Sequence, residues 1–378
     1  MPRHVEQRGH VVTYAGGNTE SADLHEIKRI TDLGQVIAEM TDREFGGAFN
    51  QDLRVPAMGE LYFVPYKTLM NREKARRLGI ETKDHLFGGV VDRPFKGTKA
   101  IAHGLVSEAA QRPDGWSEAF SDATKDVVLP GFTAFNHNEA VIAADKLFQA
   151  GYTVRGKRTL AAGGGDQHVL NSTTELTGVL TGITQDEMAT FGYVLESNLQ
   201  PEGLSIRSIG QVEIAGTMIS YFGTQRETKG EDGETRYGGS DLYIARGNYA
   251  ALLKHVDDDA TKIAIKQART FDNAAEKHLG VVASRRNYDI AQGQIDGQLV
   301  SGVLEQSWRI GGASGPEVLA IEAFRKDPAL QVVTGSSFNQ FKASGDFNVP
   351  GGARIHFEGN DPNYDEPMVT FTTLTIIK

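Results

Sequence analysis

TVRGKRTLAAGGGDQHV, residues 153–169, is the stretch on which the fold turns. Thr153 to Leu160 and His168 to Asn171 read as two strands around Ala161-Ala162-Gly163-Gly164-Gly165-Asp166. A strand thus delivers Lys157 six residues ahead of a Gly-rich hairpin loop. A lysine ammonium pairs with phosphate oxygens, and Gly lets backbone N–H groups close over them. No Gly-Lys-Ser/Thr follows the glycines, so this is not a Walker A loop. No helix follows either, so it is not a dinucleotide fingerprint. Taken alone, the stretch reads first as a Gly-rich hairpin turn with a surface Lys.

Working outward, Tyr193 to Glu196 is an apolar strand that ends in an acid and runs into a loop reaching Glu202. Such a segment can hinge two lobes and hydrogen-bond an adenine edge and a ribose. Further on, Tyr288 to Ala291 and Leu299 to Leu304 read as a hairpin across Asp296-Gly297. That hairpin carries Asp289 and the run Glu305-Gln306-Ser307-Trp308-Arg309. Glu305, Ser307 and Arg309 alternate, so they share one face of a strand. Magnesium takes one or two carboxylates together with substrate phosphate oxygens. Asp289 and Glu305 can therefore converge on one Mg²⁺. The plainer reading is a solvated polar face of an antiparallel sheet.

The remaining chain alternates strands and helices. His10 to Ala15 is a strand, followed by Gly16-Gly17-Asn18-Thr19 and a helix from Ser21 to Met40. In that helix Leu24, Ile27, Ile30, Leu33, Ile37 and Met40 form one face. Asn71 to Leu78 is a short helix stopped by Gly79, and residues 80–126 are irregular. Asn136 with Glu139 opens another helix in capping-box fashion. Leu204 to Phe222 reads as an antiparallel run with turns at Gly210 and Gly216. Residues 226–236, RETKGEDGETR, read as a charged loop at a hairpin tip, with a lid as the alternative. Gly238-Gly239-Ser240 follows as a substrate-loop candidate. Thr261 to Leu279 is a helix, and Ser314-Gly-Pro-Glu317 starts another, with Pro inside the first turn and Glu three residues after Ser in the manner of a capping box. The tail from 343 to 363 reads as loop.

Composition narrows the chemistry. The chain has 378 residues, enough for two or three domains. It has 43 Gly and no Cys, which excludes disulfides, Cys-ligated zinc, iron–sulfur clusters and thiol nucleophiles. A formal charge of −10 argues against general nucleic-acid binding. Met1 to His10 has no apolar signal core, and no stretch approaches the roughly 18 apolar residues of a membrane span. The expectation is a cytoplasmic protein with no membrane anchor. His103, His137 and His168 are not at metal-ligand spacing and read as surface or satisfied histidines. Trp116 and Trp308 read as packing residues, and Arg285-Arg286 as a surface pair before a substrate contact.

The order of these segments resembles the ATP-grasp superfamily. There, a Lys strand with a Gly-rich loop is followed by a hinge strand ending in an acid, an Asp, and a Glu-x-Asn-x-Arg motif. Here the places are taken by Lys157 with Gly163, Gly164 and Gly165, by Glu196, by Asp289, and by Glu305 to Arg309. Lys99 falls where these proteins place a first phosphate lysine, and Ser307 stands in place of the usual Asn. More narrowly, the whole chain is similar to an uncharacterised bacterial family within that superfamily.

The resemblance implies an α+β/α/β protein with two α+β lobes clamping a nucleotide. It implies a small α/β pre-ATP-grasp domain over 1–98, an N-terminal lobe over 99–195 and a C-terminal lobe with a loop-rich tail over 196–378. The implied cofactors are ATP and Mg²⁺. Lys99, Lys157, Gly163, Gly164, Gly165, Glu196 and Glu202 would bind nucleotide, Asp289, Glu305 and Ser307 the metal, and Arg309 and Lys157 would be catalytic. The implied reaction is a ligase step that activates a small-molecule carboxylate as an acyl phosphate and couples it to an amine or similar nucleophile, releasing ADP and phosphate. The resemblance leaves room for a homodimer. The alternatives are a non-catalytic ATP-binding protein and another ATP-grasp chemistry, carboxylase or kinase.

Overall fold

Apolar residues at helical spacing build α1 (Leu24–Met40), which buries Ile30, Leu33, Val36 and Ile37. The computed structural model describes residues 9–16, 23–50, 59–161, 165–295, 297–364 and 366–377. The first residues expected in that helix, 21 and 22, lie outside the described residues. The helix packs beside a parallel sheet of β1 (His10–Tyr14) between β2 (Glu44–Ala48) and β3 (Leu61–Pro65). The short helix α2 (Arg72–Arg77) starts where the Asn71 side chain accepts from the Lys74 N–H. β4 (Gly89–Val90) follows. The irregular stretch expected over 80–126 is shaped by 3₁₀ turns, one of them Lys99–Ala102, and by α3 (Glu118–Thr124).

A second sheet is antiparallel and runs β5 (Gly131–Ala134), β8 (Tyr193–Ser197), β6 (Val154–Arg158), β7 (Gln167–Leu170). The helices α4 (His137–Gln149), α5 (Thr173–Leu180) and α6 (Gln185–Phe191) cover it. Ala140, Ala144, Leu147, Leu176 and Met188 pack there against Val154 and Leu195. The capping start read from Asn136 and Glu139 is present, since Asn136 Oδ1 accepts from the Glu139 N–H.

The third sheet is eight-stranded. Its strands in chain order are β9 (Ser205–Ile214), β10 (Thr217–Lys229), β11 (Thr235–Arg246), β13 (Arg285–Ile295), β14 (Gln298–Ser307), β15 (Val332–Phe341), β16 (Arg354–Asn360) and β17 (Pro367–Ile376). The short α7 (Tyr249–Leu252) and the long α8 (Asp259–Ala274) lie between β11 and β13. β12 (Val282–Ala283) pairs with β4 and ties the first segment to this sheet. One face, with Ile209, Tyr288, Ile290 and Val303, packs on Ile265, Ala268 and Phe271 of α8. The other face, with Val212, Ile219 and Ile244, packs on α9 (Ser314–Lys326) and through it on α1.

Three sequence expectations change here. Gly210 is not a turn: β9 runs straight through it, because the Tyr221 ring lies where any Cβ would stand. Most of the charged run 226–236 is strand, paired from Arg226↔Gly239 to Lys229↔Thr235. Glu227 and Lys229 are exposed while Arg226 and Arg236 are half-buried and paired with Asp241 and Glu366, a pattern on two paired strands that composition alone reads as loop. The tail contains β16, whose edge position on β17 tolerates its polar sequence.

Candidate functional site

The hairpin of β13 and β14 sets the site. Asp289 stands directly opposite Glu305, and Asn287 opposite Ser307, so all four side chains share one face. A bulge follows at Asp289/Ile290 and twists the strands just past the two carboxylates. Burial and the neighbouring Glu305 carboxylate push the Asp289 pKa up to about 7. Gln225 of β10 donates to Asp289 Oδ1 at 3.2 Å.

Lys99 reaches the same spot from the other side. Thr98 caps its 3₁₀ turn, accepting from the Ala100 N–H at 3.2 Å. The turn is pinned to β14, because Gln306 Nε2 donates to the Thr98 carbonyl at 2.6 Å. Lys99 is buried, and its Nζ lies 2.9 Å from Glu305 Oε2. Three groups from two segments that are remote in sequence therefore meet: two carboxylates and one ammonium.

Lys157 and Glu196 meet in the second sheet, where they are diagonal neighbours on β6 and β8. Both are buried, and Lys157 Nζ pairs with Glu196 Oε1. His103, at the end of the Lys99 turn, places Nε2 3.0 Å from Glu196 Oε2. Burial works against the Glu196 charge, yet the Lys157 ammonium and the His103 ring hold its pKa down to about 2. Sequence reasoning had Glu196 free to meet a nucleotide and His103 as a satisfied bystander. In the structure the Glu196 side chain is engaged by Lys157 and His103.

The remaining positions fall as follows. Arg309 is half-buried just beyond β14, and its Nη1 donates to the Ile310 carbonyl at 2.9 Å. Burial and the Arg285 and Arg29 guanidiniums depress its pKa, against the pull of Glu26 and Glu305. Ser307 Oγ lies 3.5 Å from Arg285 Nη1. Gly163 and Gly164 lie outside the described residues, while Gly165 is exposed at the start of the return into β7. Glu202 is exposed in the turn before β9 and is not tied to the cluster by any ion pair among the described residues.

The residues that sequence reasoning missed sit one level along the same ladder. Arg285 is fully buried, with Nε 2.7 Å from Glu317 Oε2 and Nη2 2.9 Å from Glu317 Oε1. Tyr221 donates to Glu317 at 2.5 Å, and Asn287 Nδ2 donates to Tyr221 Oη at 3.1 Å. This corrects two expectations. Arg285-Arg286 is not a surface pair: Arg286 bonds Asp272 and Glu276 on and beside α8. Glu317 does not cap its own helix, because Arg285 claims the carboxylate.

Among the described residues no group of three or more His, Cys, Asp or Glu gathers as a metal site. Two adjacent carboxylates, one of them raised by the other's charge, still suit a hard dication that takes its remaining ligands from phosphate and water.

The four sheets and their covering helices form an ATP-grasp fold. The chain belongs to the family described as "Protein of unknown function (DUF3182)", which matches residues 13–370. No curated protein matches the sequence. Among solved structures, the chain is similar to N5-carboxyaminoimidazole synthetase from Staphylococcus aureus, at 12% identity and TM-score 0.50, covering 97% of this chain and 93% of that one. It is also similar to the biotin carboxylase domain of Hydrogenobacter thermophilus 2-oxoglutarate carboxylase, seen with MgADP, ADP and bicarbonate. There the identity is 13% and the TM-score 0.53, over 98% of this chain and 87% of that one. A third is phosphoribosylamine–glycine ligase from Thermotoga maritima, at 15% identity and TM-score 0.51, over 97% and 92%. No helix among the described residues is long and apolar enough to cross a membrane.

Proposed function

We propose that this protein is an ATP- and Mg²⁺-dependent ligase that joins a small-molecule carboxylate to an amine. The observation that carries the proposal is the meeting of Lys99 with the facing pair Asp289 and Glu305. Two carboxylates held together in a half-buried place are costly unless a cation joins them. Asp289 and Glu305, with Ser307 beside them, would hold Mg²⁺, which supplies charge neutralisation across the phosphate oxygens. Lys99 would leave Glu305 for a phosphate oxygen. Lys157, already oriented by Glu196, would face the α- and β-phosphates, and the loop of Gly163, Gly164 and Gly165 would close over them. Adenine would be read at the hinge after Glu196 by the backbone, since that side chain is engaged, with Glu202 toward the ribose.

In the reaction, a substrate carboxylate oxygen attacks the γ-phosphorus, and the bond to the β–γ bridging oxygen breaks to release ADP. The amine then attacks the acyl carbon. Phosphate departs with the C–O electron pair, and the amine proton passes to solvent. Arg309 would stabilise the negative charge that builds on the acyl phosphate and the tetrahedral intermediate. The working unit remains proposed as a pre-domain over 1–98 and lobes over 99–195 and 196–378.

A second reading is nucleotide binding without turnover. It is favoured by Ser307, a weaker metal ligand than Asn that also lies near the Arg285 guanidinium. An ADP-release screen over amino acids and dipeptides separates the two. Ligase activity that disappears in Glu305→Ala supports the first, and Mg-ATP binding with no release for any pair supports the second.

A further inference from the structure

The two lysines of the proposed nucleotide site start from unequal positions. Each is paired with a carboxylate that it would leave for a phosphate oxygen, Lys99 with Glu305 and Lys157 with Glu196. The Glu305 side chain is 31% exposed and stands opposite Asp289, where a dication would take the place of the departing ammonium. The Glu196 side chain is 2% exposed. A buried carboxylate deserted by its ammonium is costly, so Lys157 is the harder of the two to release.

His103 stands where that cost is met. It directly follows the 3₁₀ turn Lys99–Ala102, and its Nε2 lies 3.0 Å from Glu196 Oε2, while Lys157 pairs with the other oxygen. No further side chain bonds this carboxylate among the described residues. Glu196 is held ionised and therefore only accepts, so His103 Nε2 carries the proton and donates. Nδ1 is buried without a hydrogen-bond partner among the described residues, so the ring directs its one bond to Glu196. The donor is also held independently of Lys157. Thr133 of β5 anchors the turn on both sides of His103, its Oγ1 donating to the Ala100 carbonyl at 2.7 Å and its N–H to the Gly104 carbonyl at 2.9 Å. The ring lies flush on Gly131, where a Cβ would stand 2.8 Å from His103 Cε1 and 2.9 Å from Nδ1.

We infer that His103 is a positioning residue that makes Lys157 available to the nucleotide phosphates by keeping a charge-assisted hydrogen bond on Glu196 as the ammonium turns away. The inference rests on the ligase reading above, which sends Lys157 to phosphate. With His103 removed, Lys157 is the remaining partner of a buried anion and stays on it.

The test is isothermal titration of the full chain in EDTA, so that the Asp289–Glu305 pair acts without metal, with ADP and adenosine as probes. His103→Leu should weaken ADP about tenfold or more and adenosine less than about twofold. His103→Gln, whose amide can donate to Glu196, should stay within about threefold of the wild type for both. His103→Asn is polar but too short to reach, so it should follow the Leu variant and covers the case in which that variant fails to fold. In a Lys157→Met background, removing His103 should cost no further ADP affinity. Equal weakening of ADP and adenosine would overturn the inference, since a merely structural role moves both. So would a Gln variant as impaired as the Asn variant, or a full further loss of ADP affinity in the Lys157→Met background. Wild-type protein that binds neither probe, with or without Mg²⁺, would defeat the ligase reading and the inference with it, whereas the other contrary results, seen with ADP bound by the wild type, defeat the inference alone.

Discussion

Two charge clusters lie next to each other on the same face of the eight-stranded sheet. One is closed: Arg285, Glu317, Tyr221 and Asn287 bond one another at 2.5 to 3.1 Å, and Arg285 and Glu317 are each exposed by 1% or less. The other is open: Asp289 faces Glu305 with like charge, and Lys99 is the only ammonium bonded to them among the described residues. They are separated by two residues on β13, from Asn287 to Asp289. The closed cluster uses every charge to join α9 to the sheet. The open one keeps charge in excess, which costs stability and leaves room for a cation and phosphates. The difference separates residues that hold the fold from residues set aside for a ligand.

The comparison breaks most visibly at Glu317. Glu317→Ala strands the Arg285 guanidinium in the core and should cost about 3–5 kcal/mol in denaturant unfolding. Replacing both partners by apolar residues should recover most of that loss. Lys157→Ala comes next. The sequence alone suggests a variant that only loses turnover, but Lys157 also neutralises the buried Glu196, so about 3 kcal/mol of stability should go with it. Glu305→Ala should abolish turnover at far smaller cost, because its carboxylate is 31% exposed.

The pH dependence distinguishes the clusters further. The Glu196 pKa is depressed from 4.5 to about 2 in the folded protein. A depressed carboxyl contributes stability above its unfolded pKa and loses it as pH falls toward the folded one. Urea midpoints should therefore drop as pH falls below 4.5, and Glu196→Gln should flatten that slope. The smallest effect belongs to the open cluster. Asp289→Asn relieves the like-charge pair, so stability should hold or rise by up to about 1 kcal/mol while the Mg-ATP shift disappears. A loss of several kcal/mol would make Asp289 structural instead.

Much of this was legible in the chain. The alternation of Glu305 and Ser307 put two polar side chains on one strand face, and the hairpin brought Asp289 opposite Glu305, whereas β14 ends at Ser307 and leaves Arg309 beyond that face. The Asn136 cap and the apolar face of α1 are local signals, and they held. The sequence did not show that Glu317 belongs to Arg285, 32 residues away, since its spacing from Ser314 looks like a helix cap. Gly210 misled for the same reason: its cause is a Tyr221 ring supplied by the neighbouring strand. Partners on other elements decide both, and periodicity does not encode them.

The most direct test of the account is isothermal titration of the wild type and Asp289→Asn with ATP, each in the presence and absence of Mg²⁺. The account predicts binding by the wild type that strengthens at least tenfold with Mg²⁺, and an Asp289→Asn protein that is folded but insensitive to the metal. Wild-type protein that binds no ATP, or binds it equally well without Mg²⁺, would contradict it.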